Sequence, residues 1–440
     1  MLSVLGNRTY RHLFAAQVVA LIGTGLATVA LGLLAYELAG ASAGEVLGTA
    51  LAIKMLAYIG VAPVAAAFAE RLPRRAMLVA LDLVRAAVAL TLPFVTQAWQ
   101  IYVLIFLLQS ASAAFTPTFQ ATIPDVLPEE ADYTRALSLS RLAYDLESVA
   151  SPMLAALLLT VVSFHSLFWG TMVGFLASAA LVVSVTLPKA KIPPPRGIYE
   201  RTTRGLRIYL ATPRLRGLLA LNIAVAAASS MVIVNTVVLV QGQYGLTQNA
   251  TAWALAAFGG GSMVAALALP GLLEHLPDRR AMLAGATVLA AGLLVGMAIT
   301  GYGWLLPLWL VLGLGYSLAQ TPSGRLLRRS AHQEDRPALF AAQFALSHAC
   351  WLITYPLAGW LSANAAPATT FLVMGCVAAV AVGMAAFIWP AQDPAQVPHT
   401  HPDLDPGHPH LSSSAGHATD HAHEFIIDDD HRRWPDRPGQ

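Results

Sequence analysis

The stretch Arg141-Leu142-Ala143-Tyr144-Asp145-Leu146-Glu147-Ser148-Val149-Ala150-Ser151-Pro152 places two carboxylates and a guanidinium inside a run otherwise apolar enough to cross a bilayer. An acid or base at the centre of a spanning helix costs about 2.5–3.5 kcal/mol on insertion scales, so such groups pair, face a watery cavity, or both. The chemistry open to them there is proton exchange and cation binding. At about 100° per residue, Arg141, Asp145 and Ser148 share one helix face and Tyr144, Glu147 and Ser151 another. Asp145 has Arg141 one turn away and reads as half of an ion pair. Glu147 has no cation within its own helical reach, which makes it the better candidate for exchange, assisted by Asp145.

Lys54 and His348 lie at a similar depth, about 14–20 Å from the nearer span end at ~1.5 Å per residue. Two carboxylates beside one Lys and one Arg are balanced, so an entering dication must displace a proton or an existing pairing. That is the logic of antiport. Polar stripes border the same level: Gln109, Ser112, Thr116 and Gln120; Gln17, Thr24 and Thr28; Asn222 and Ser229; His348, Trp351 and Tyr355. For each, the alternative to lining a path is helix–helix hydrogen bonding at about 0.6 kcal/mol per contact. Asp82 and Arg85, at i, i+3 spacing, read as an ion pair or a latch to an Arg-rich loop.

A second chemistry sits at the end of the chain. After Pro390 the composition turns polar and holds His399, His401, His408, His410, His417, His421, His423 and His431, eight of the thirteen histidines. Such a segment cannot bury enough apolar surface to fold by itself. Clustered imidazoles without thiolates, with Asp and Glu interspersed, suit nickel, copper or zinc, and affinity alone does not choose among them. The histidines are interrupted and the chain runs on to Gln440, unlike an expression tag.

The elements that must position these groups follow from hydropathy. The chain has 440 residues, 56% hydrophobic and only 11% charged, against about 25% charged in soluble proteins. Apolar runs long enough for ~30 Å of hydrocarbon fall near 13–38, 46–69, 76–96, 100–122, 134–162 and 166–187, then 215–241, 249–273, 281–301, 303–324, 337–361 and 367–389. The first reads as a retained span, since it lacks a small-residue cleavage site. The expectation is an all-α membrane protein of twelve transmembrane helices in two six-helix bundles: 1–187, a basic linker 188–213, a second bundle 214–389, and a disordered His-rich tail 390–440. Lys and Arg cluster in the linker and in alternate loops, so the positive-inside rule places both termini in the cytoplasm. Cys350 and Cys376 imply no disulfide framework, and no Gly-rich nucleotide loop appears in a soluble context. Neither an enzyme nor a nucleic-acid partner is expected; the partners are the bilayer, protons and a cargo.

The halves repeat. Glu70-Arg71-Leu72-Pro73-Arg74-Arg75-Ala76-Met77-Leu78 recurs with one insertion as Glu274-His275-Leu276-Pro277-Asp278-Arg279-Arg280-Ala281-Met282-Leu283, and Thr116-Pro117 recurs as Thr321-Pro322. A same-orientation repeat joined by a linker is how two-bundle transporters are built. On these residues the chain resembles the major facilitator superfamily over about 1–390. The family loop Gly-x-x-x-Asp-Arg-x-Gly-Arg-Arg corresponds to Ala66 to Arg75, where Glu70 replaces the aspartate, Arg71, Arg74 and Arg75 match, and Pro73 replaces the second glycine. Ser151-Pro152 more weakly resembles the Gly-Pro motif of the antiporters. The resemblance implies that the first, fourth, seventh and tenth spans line the path. With the tail, and with Asn7 to Phe14 and Phe119 to Asp125, the chain resembles the bacterial nickel-resistance exporters of that superfamily.

The expectation is therefore a proton-coupled exporter of Ni²⁺, with Co²⁺ next, in a bacterial cytoplasmic membrane. The metal is cargo and no cofactor is expected. Transport residues are Glu147, Asp145, Tyr144, His348 and Gln109; Asp82, Arg85, Arg141, Glu70, Arg71, Arg74 and Arg75 form a structural charge network; the eight tail histidines take metal. The rivals are an exporter of an organic solute such as a siderophore or drug, and a membrane-anchored metal sensor or store.

Overall fold

The structure is a computed structural model that describes residues 2–39, 43–69, 72–188, 197–392, 397–400, 420–423, 425–429, 431 and 433–435. Its helices are α1 (Arg8–Ala39), α2 (Ala43–Ala69), α3 (Arg74–Thr91), α4 (Ala98–Val126), α5 (Glu130–Leu158) and α6 (His165–Val183), then α7 (Ile198–Ala211), then α8 (Pro213–Val237), α9 (Gln248–Leu272), α10 (Asp278–Gly296), α11 (Tyr302–Gln320), the short α12 (Ser323–Arg328), α13 (Arg336–Asn364) and α14 (Pro367–Ile388). Two short strands follow, β1 (Val397–Thr400) and β2 (Asp420–His423), paired antiparallel.

Twelve of the helices are long, and they sort into two groups of six. α1 packs on α5 and α6, and α2 and α3 on α4; α8 packs on α13 and α14, and α10 and α9 on α11. Ten meet a length and hydropathy criterion for crossing a membrane among the described residues. The other two are α2, whose described apolar stretch is the shorter Ala52–Ala67, and α5, which carries Glu130, Asp132, Arg135, Arg141, Asp145 and Glu147. α5 holds these charges within an otherwise apolar helix, and its neighbours must supply their partners.

Small residues set the closest approaches. A Cβ added at Gly313 in α11 would lie 1.9 Å from the Phe258 carbonyl oxygen of α9, so only glycine lets these backbones touch. In the first bundle, a Cβ at Gly25 of α1 would lie 2.2 Å from the Ser151 side chain and 2.8 Å from Glu147 Oε1. That glycine admits the Glu147 face of α5 against α1.

Two features depart from the expected plan. The second half of the 188–213 linker is helical: α7 lies between the bundles, against α13 and α2. The tail reads as disordered, yet among its described residues Phe425 to Ile427 and Trp434 pack against the body. Phe425 and Ile427 are 3% and 1% exposed and join the hydrophobic core of the second bundle, with Trp434 packed beside them. These few apolar residues complete a core built by α8, α10, α11, α13 and α14.

Candidate transport site

The charges of α5 divide as their helical faces require. Arg141 Nε donates to Asp145 Oδ1 at 3.0 Å, and its Nη2 makes a second contact with the same oxygen. The guanidinium also reaches the second bundle: Nη1 donates to the Tyr316 hydroxyl of α11 at 3.3 Å, and Cζ lies 4.6 Å from that ring's centroid. Asp145 is therefore half of a cross-bundle tie. Glu147, two residues on, faces α1 at Gly25, and the charge that acts on it is Lys54 of α2.

Lys54 also acts on His348 of α13, so the three groups share one electrostatic neighbourhood. Tyr58 organises it. Lys54 Nζ lies 5.5 Å from the Tyr58 ring, whose hydroxyl donates to Gln109 Oε1 of α4 at 2.8 Å. The same ring crosses the bundle interface to Phe344 at 4.8 Å and His348 at 4.7 Å, the latter edge-on. His348 Nδ1 lies 2.7 Å from the Phe344 carbonyl oxygen. A carbonyl cannot donate, so Nδ1 carries the proton and Nε2 of the neutral ring keeps a lone pair. Trp351 and Tyr355 extend the aromatic column along α13. Tyr144 is hydrogen-bonded to Gln17, whose Oε1 also accepts from Ser140 at 3.0 Å.

The other intramembrane and loop charges pair elsewhere. Asp82 pairs with Arg85 and accepts from Ser178 Oγ at 2.8 Å, while Arg85 lies between the Phe115 and Phe175 rings at 4.1 and 4.5 Å. This is a buried tie of α3 to α4 and α6. Glu70 and Arg71 lie outside the described residues. Arg74 pairs with Asp125 at the end of α4, and Arg75 donates to the Val183 carbonyl.

Asp125 takes a second guanidinium, Arg336 of α13, at 2.9 Å. Nearby, Arg325 of α12 pairs with Glu130 of α5 and lies 3.2 Å from Asp278 of α10, Arg328 donates to the Pro128 carbonyl, and Tyr133 donates to the Gly324 carbonyl at 3.3 Å. The two bundles are thus bolted together at the arginine-rich face, which is closed here. Tyr58, Tyr316 and Asp125 were not singled out as site residues. Tyr58 stands one turn from Lys54, a usable local signal; Tyr316 and the Asp125–Arg336 pair have none, their partners being 175 and 211 residues away.

In the tail, the strand register sets His399 directly opposite His421, and Val397 opposite His423. His401, His408, His410 and His417 lie outside the described residues. His431 is buried, its Nδ1 2.9 Å from Asp428 Oδ1 and its ring 4.6 Å from Phe425. Among the described residues no group of three or more His, Cys, Asp or Glu is arranged to hold a metal. Around His431 the electrostatics are strong. The bond to Asp428 raises the His332 imidazole above its ordinary value. Burial works against the Asp428 charge, but hydrogen bonds from His332 and His431 and the His431 charge hold its carboxyl well below the usual range.

Two six-helix bundles with the same internal order, joined by a linker and closed on each other at one face, define a two-bundle membrane transporter. The Major Facilitator Superfamily profile matches residues 13–236 and 218–412, and the chain belongs to that family. The uncharacterised MFS-type transporter YfiS of Bacillus subtilis (strain 168) is 23% identical over 332 residues, covering 73% of this chain and 79% of YfiS. Macrolide efflux protein A of Streptococcus pyogenes is 25% identical over 182 residues, 40% of this chain and 44% of that protein. Among solved structures, the human organic anion transporter MFSD10 (TETRAN) superposes with a TM-score of 0.75 at 12% identity, over 86% of this chain and 99% of its own. A bacterial homologue of the iron transporter ferroportin, in an outward-facing state, gives 0.72 at 13%, over 87% and 98%. These two likenesses establish the fold.

Proposed function

We propose that the chain exports a divalent transition-metal cation, nickel first and cobalt next, from the cytoplasm in exchange for protons. The observation that carries the cargo is the tail: eight histidines in the last fifty residues, with His399 and His421 brought opposite each other in an antiparallel pair. A tail rich in histidine and free of cysteine suits a borderline-soft cation and has no use for an organic solute. The arginine-rich face is the cytoplasmic one by the positive-inside rule, so the tail gathers metal at the mouth from which cargo enters.

Within the membrane, Glu147 is the exchanging carboxylate, because Asp145 is held by Arg141. A dication arriving between Glu147 and His348 meets one oxygen ligand and one imidazole lone pair, beside the fixed charge of Lys54. Its charge drives the proton off Glu147, and reprotonation from the far side releases it. The closed arginine face must part, and the opposite face close, once per cycle.

A second reading is export of an organic solute. The column Tyr58, Phe344, His348, Trp351 and Tyr355 favours it, since stacked rings suit an apolar or aromatic cargo, and the macrolide efflux relatives point the same way. One experiment separates the readings. Cells expressing the wild type, Glu147→Gln, or nothing are exposed equally to nickel and, separately, to a macrolide. Lower nickel in the wild type alone supports metal–proton exchange at Glu147. Nickel equal in all three refutes it, and lower macrolide in its place supports the second reading.

A further inference from the structure

The chain's end grips a particular turn. Arg214, at the start of α8, donates to Ser330 Oγ at 2.8 Å, to the Arg329 carbonyl at 3.1 Å and to the Phe425 carbonyl at 3.4 Å, and its guanidinium lies 5.2 Å from the Trp434 ring. Trp434 packs on Phe425 at 5.0 Å. Asp428 meets His332 at 3.3 Å. Arg204 of α7 joins Asp335, at 2.8 Å, to Asp429, at 2.6 Å. These contacts converge on residues 329–335, the connection between α12 and α13.

That connection is flanked by the arginines that bolt the two bundles together. Arg325 and Arg328 precede it and reach Glu130 and the Pro128 carbonyl; Arg336 follows it and reaches Asp125. The turn is therefore held by the first bundle through its flanks and by the chain's end and linker helix through its middle. Charge-assisted hydrogen bonds need accurate donor placement, and a short loop whose middle is clamped presents its flanking arginines in one geometry. Phe425, Ile426 and Ile427 anchor the clamp by burial, whereas the polar contacts set its register.

We infer that the described residues 425–429, 431 and 434 act as a strap that positions the gate arginines, so that this part of the chain sets how readily the arginine-rich face opens. Arg214 and His332 are its receiving residues. This holds whatever the cargo is, and it gives the docked segment a role separate from the histidines that precede it. Releasing the strap lowers the stability of the closed face and raises the fraction of time it stands open.

The test uses the full chain in lipid nanodiscs, with Cys350 and Cys376 replaced by Ser and a reporter introduced as Ser138→Cys. Ser138 is 0% exposed and lies one turn beyond Thr134, which Arg325 of the gate reaches at 3.3 Å, on the same face of α5. N-ethylmaleimide labelling of this reporter is expected to run severalfold faster in Phe425→Ala/Trp434→Ala, and to return toward the parental rate in Phe425→Leu/Trp434→Phe. His332→Ala removes a strap contact without emptying the core, and carries the test in the same direction if the double variant does not fold. A control reporter, Ser230→Cys, is buried between α8 and α13, away from the gate. Unchanged labelling of Ser138→Cys in His332→Ala and in a folded double variant overturns the inference. So does an equal acceleration at Ser230→Cys, which reports general loosening.

Discussion

Replacing Asp125 shifts the gate by an amount that the geometry bounds. Its side chain is 1% exposed and receives Arg74 and Arg336, themselves 6% and 18% exposed. A hydrogen bond to a charged group contributes about 1.5–3 kcal/mol and a neutral one about 0.5–1.5, so Asp125→Asn weakens each contact by about 1–1.5 kcal/mol. Arg74 begins α3 and Asp125 ends α4, both in the first bundle, so their bond persists when the bundles part. Only the Arg336 bond crosses, and only its loss moves the opening equilibrium, by roughly tenfold. Asp125→Ala removes the acceptor outright. Breaking a buried pair costs about 3–5 kcal/mol, and because opening rehydrates Arg336 alone, about half of that appears as a further shift toward the open face. The assay is pulsed dipolar spectroscopy between spin labels at Ala131→Cys and Gln333→Cys, in a chain with Cys350 and Cys376 replaced by Ser. The open fraction is expected to rise in the order wild type, Asn, Ala. An Asn variant indistinguishable from wild type, or one that opens more than Ala, refutes the assignment of Asp125 as the cross-bundle acceptor.

Two further outcomes follow from the same contacts. Gly313→Ala drives a methyl into the Phe258 carbonyl at the α9–α11 crossing, so the thermal midpoint of the purified protein drops, at or beyond the ~1–3 kcal/mol typical of overpacking; an unchanged midpoint would show the crossing to be looser than drawn. Docking of the chain's end depends on pH from both sides. Asp428, depressed below its ordinary 3.8, adds stability above that value and loses it as pH falls through the depressed one; His332, raised above 6.5, adds stability below that value and loses it as pH rises through the raised one. With Glu334, Asp335, His431 and Arg204 the other charges around the clasp, amide protection at Phe425 to Ile427 is expected to be greatest between about pH 4 and 6.5 and to weaken first on the alkaline side. Hydrogen exchange corrected for its intrinsic pH dependence measures this, and His332→Ala should remove the alkaline weakening.

Much of the architecture is written locally. Spans are legible because bilayer thickness converts directly into run length, and ten of the long helices meet a length and hydropathy criterion among the described residues. The Arg141–Asp145 pair is legible because i, i+4 geometry needs nothing beyond one helix. The separation of Glu147 from that pair follows from the same 100° step. The histidine content of the tail is legible from composition alone. Glu70 and Arg71, read from the repeat, lie outside the described residues.

What packing alone decided is everything that joins distant segments. No local pattern sends Tyr58 across the interface to His348, gives Asp125 two guanidiniums from different bundles, or lends Arg141 the Tyr316 hydroxyl. Those partners meet because small-residue crossings fix how closely helices approach, and a shift of one turn would exchange them all. The tail makes the same point from the other side. Composition alone gives it no reason to dock, yet Phe425, Ile426 and Ile427 are buried, because burial is a property of the groove that receives a residue as much as of the residue itself.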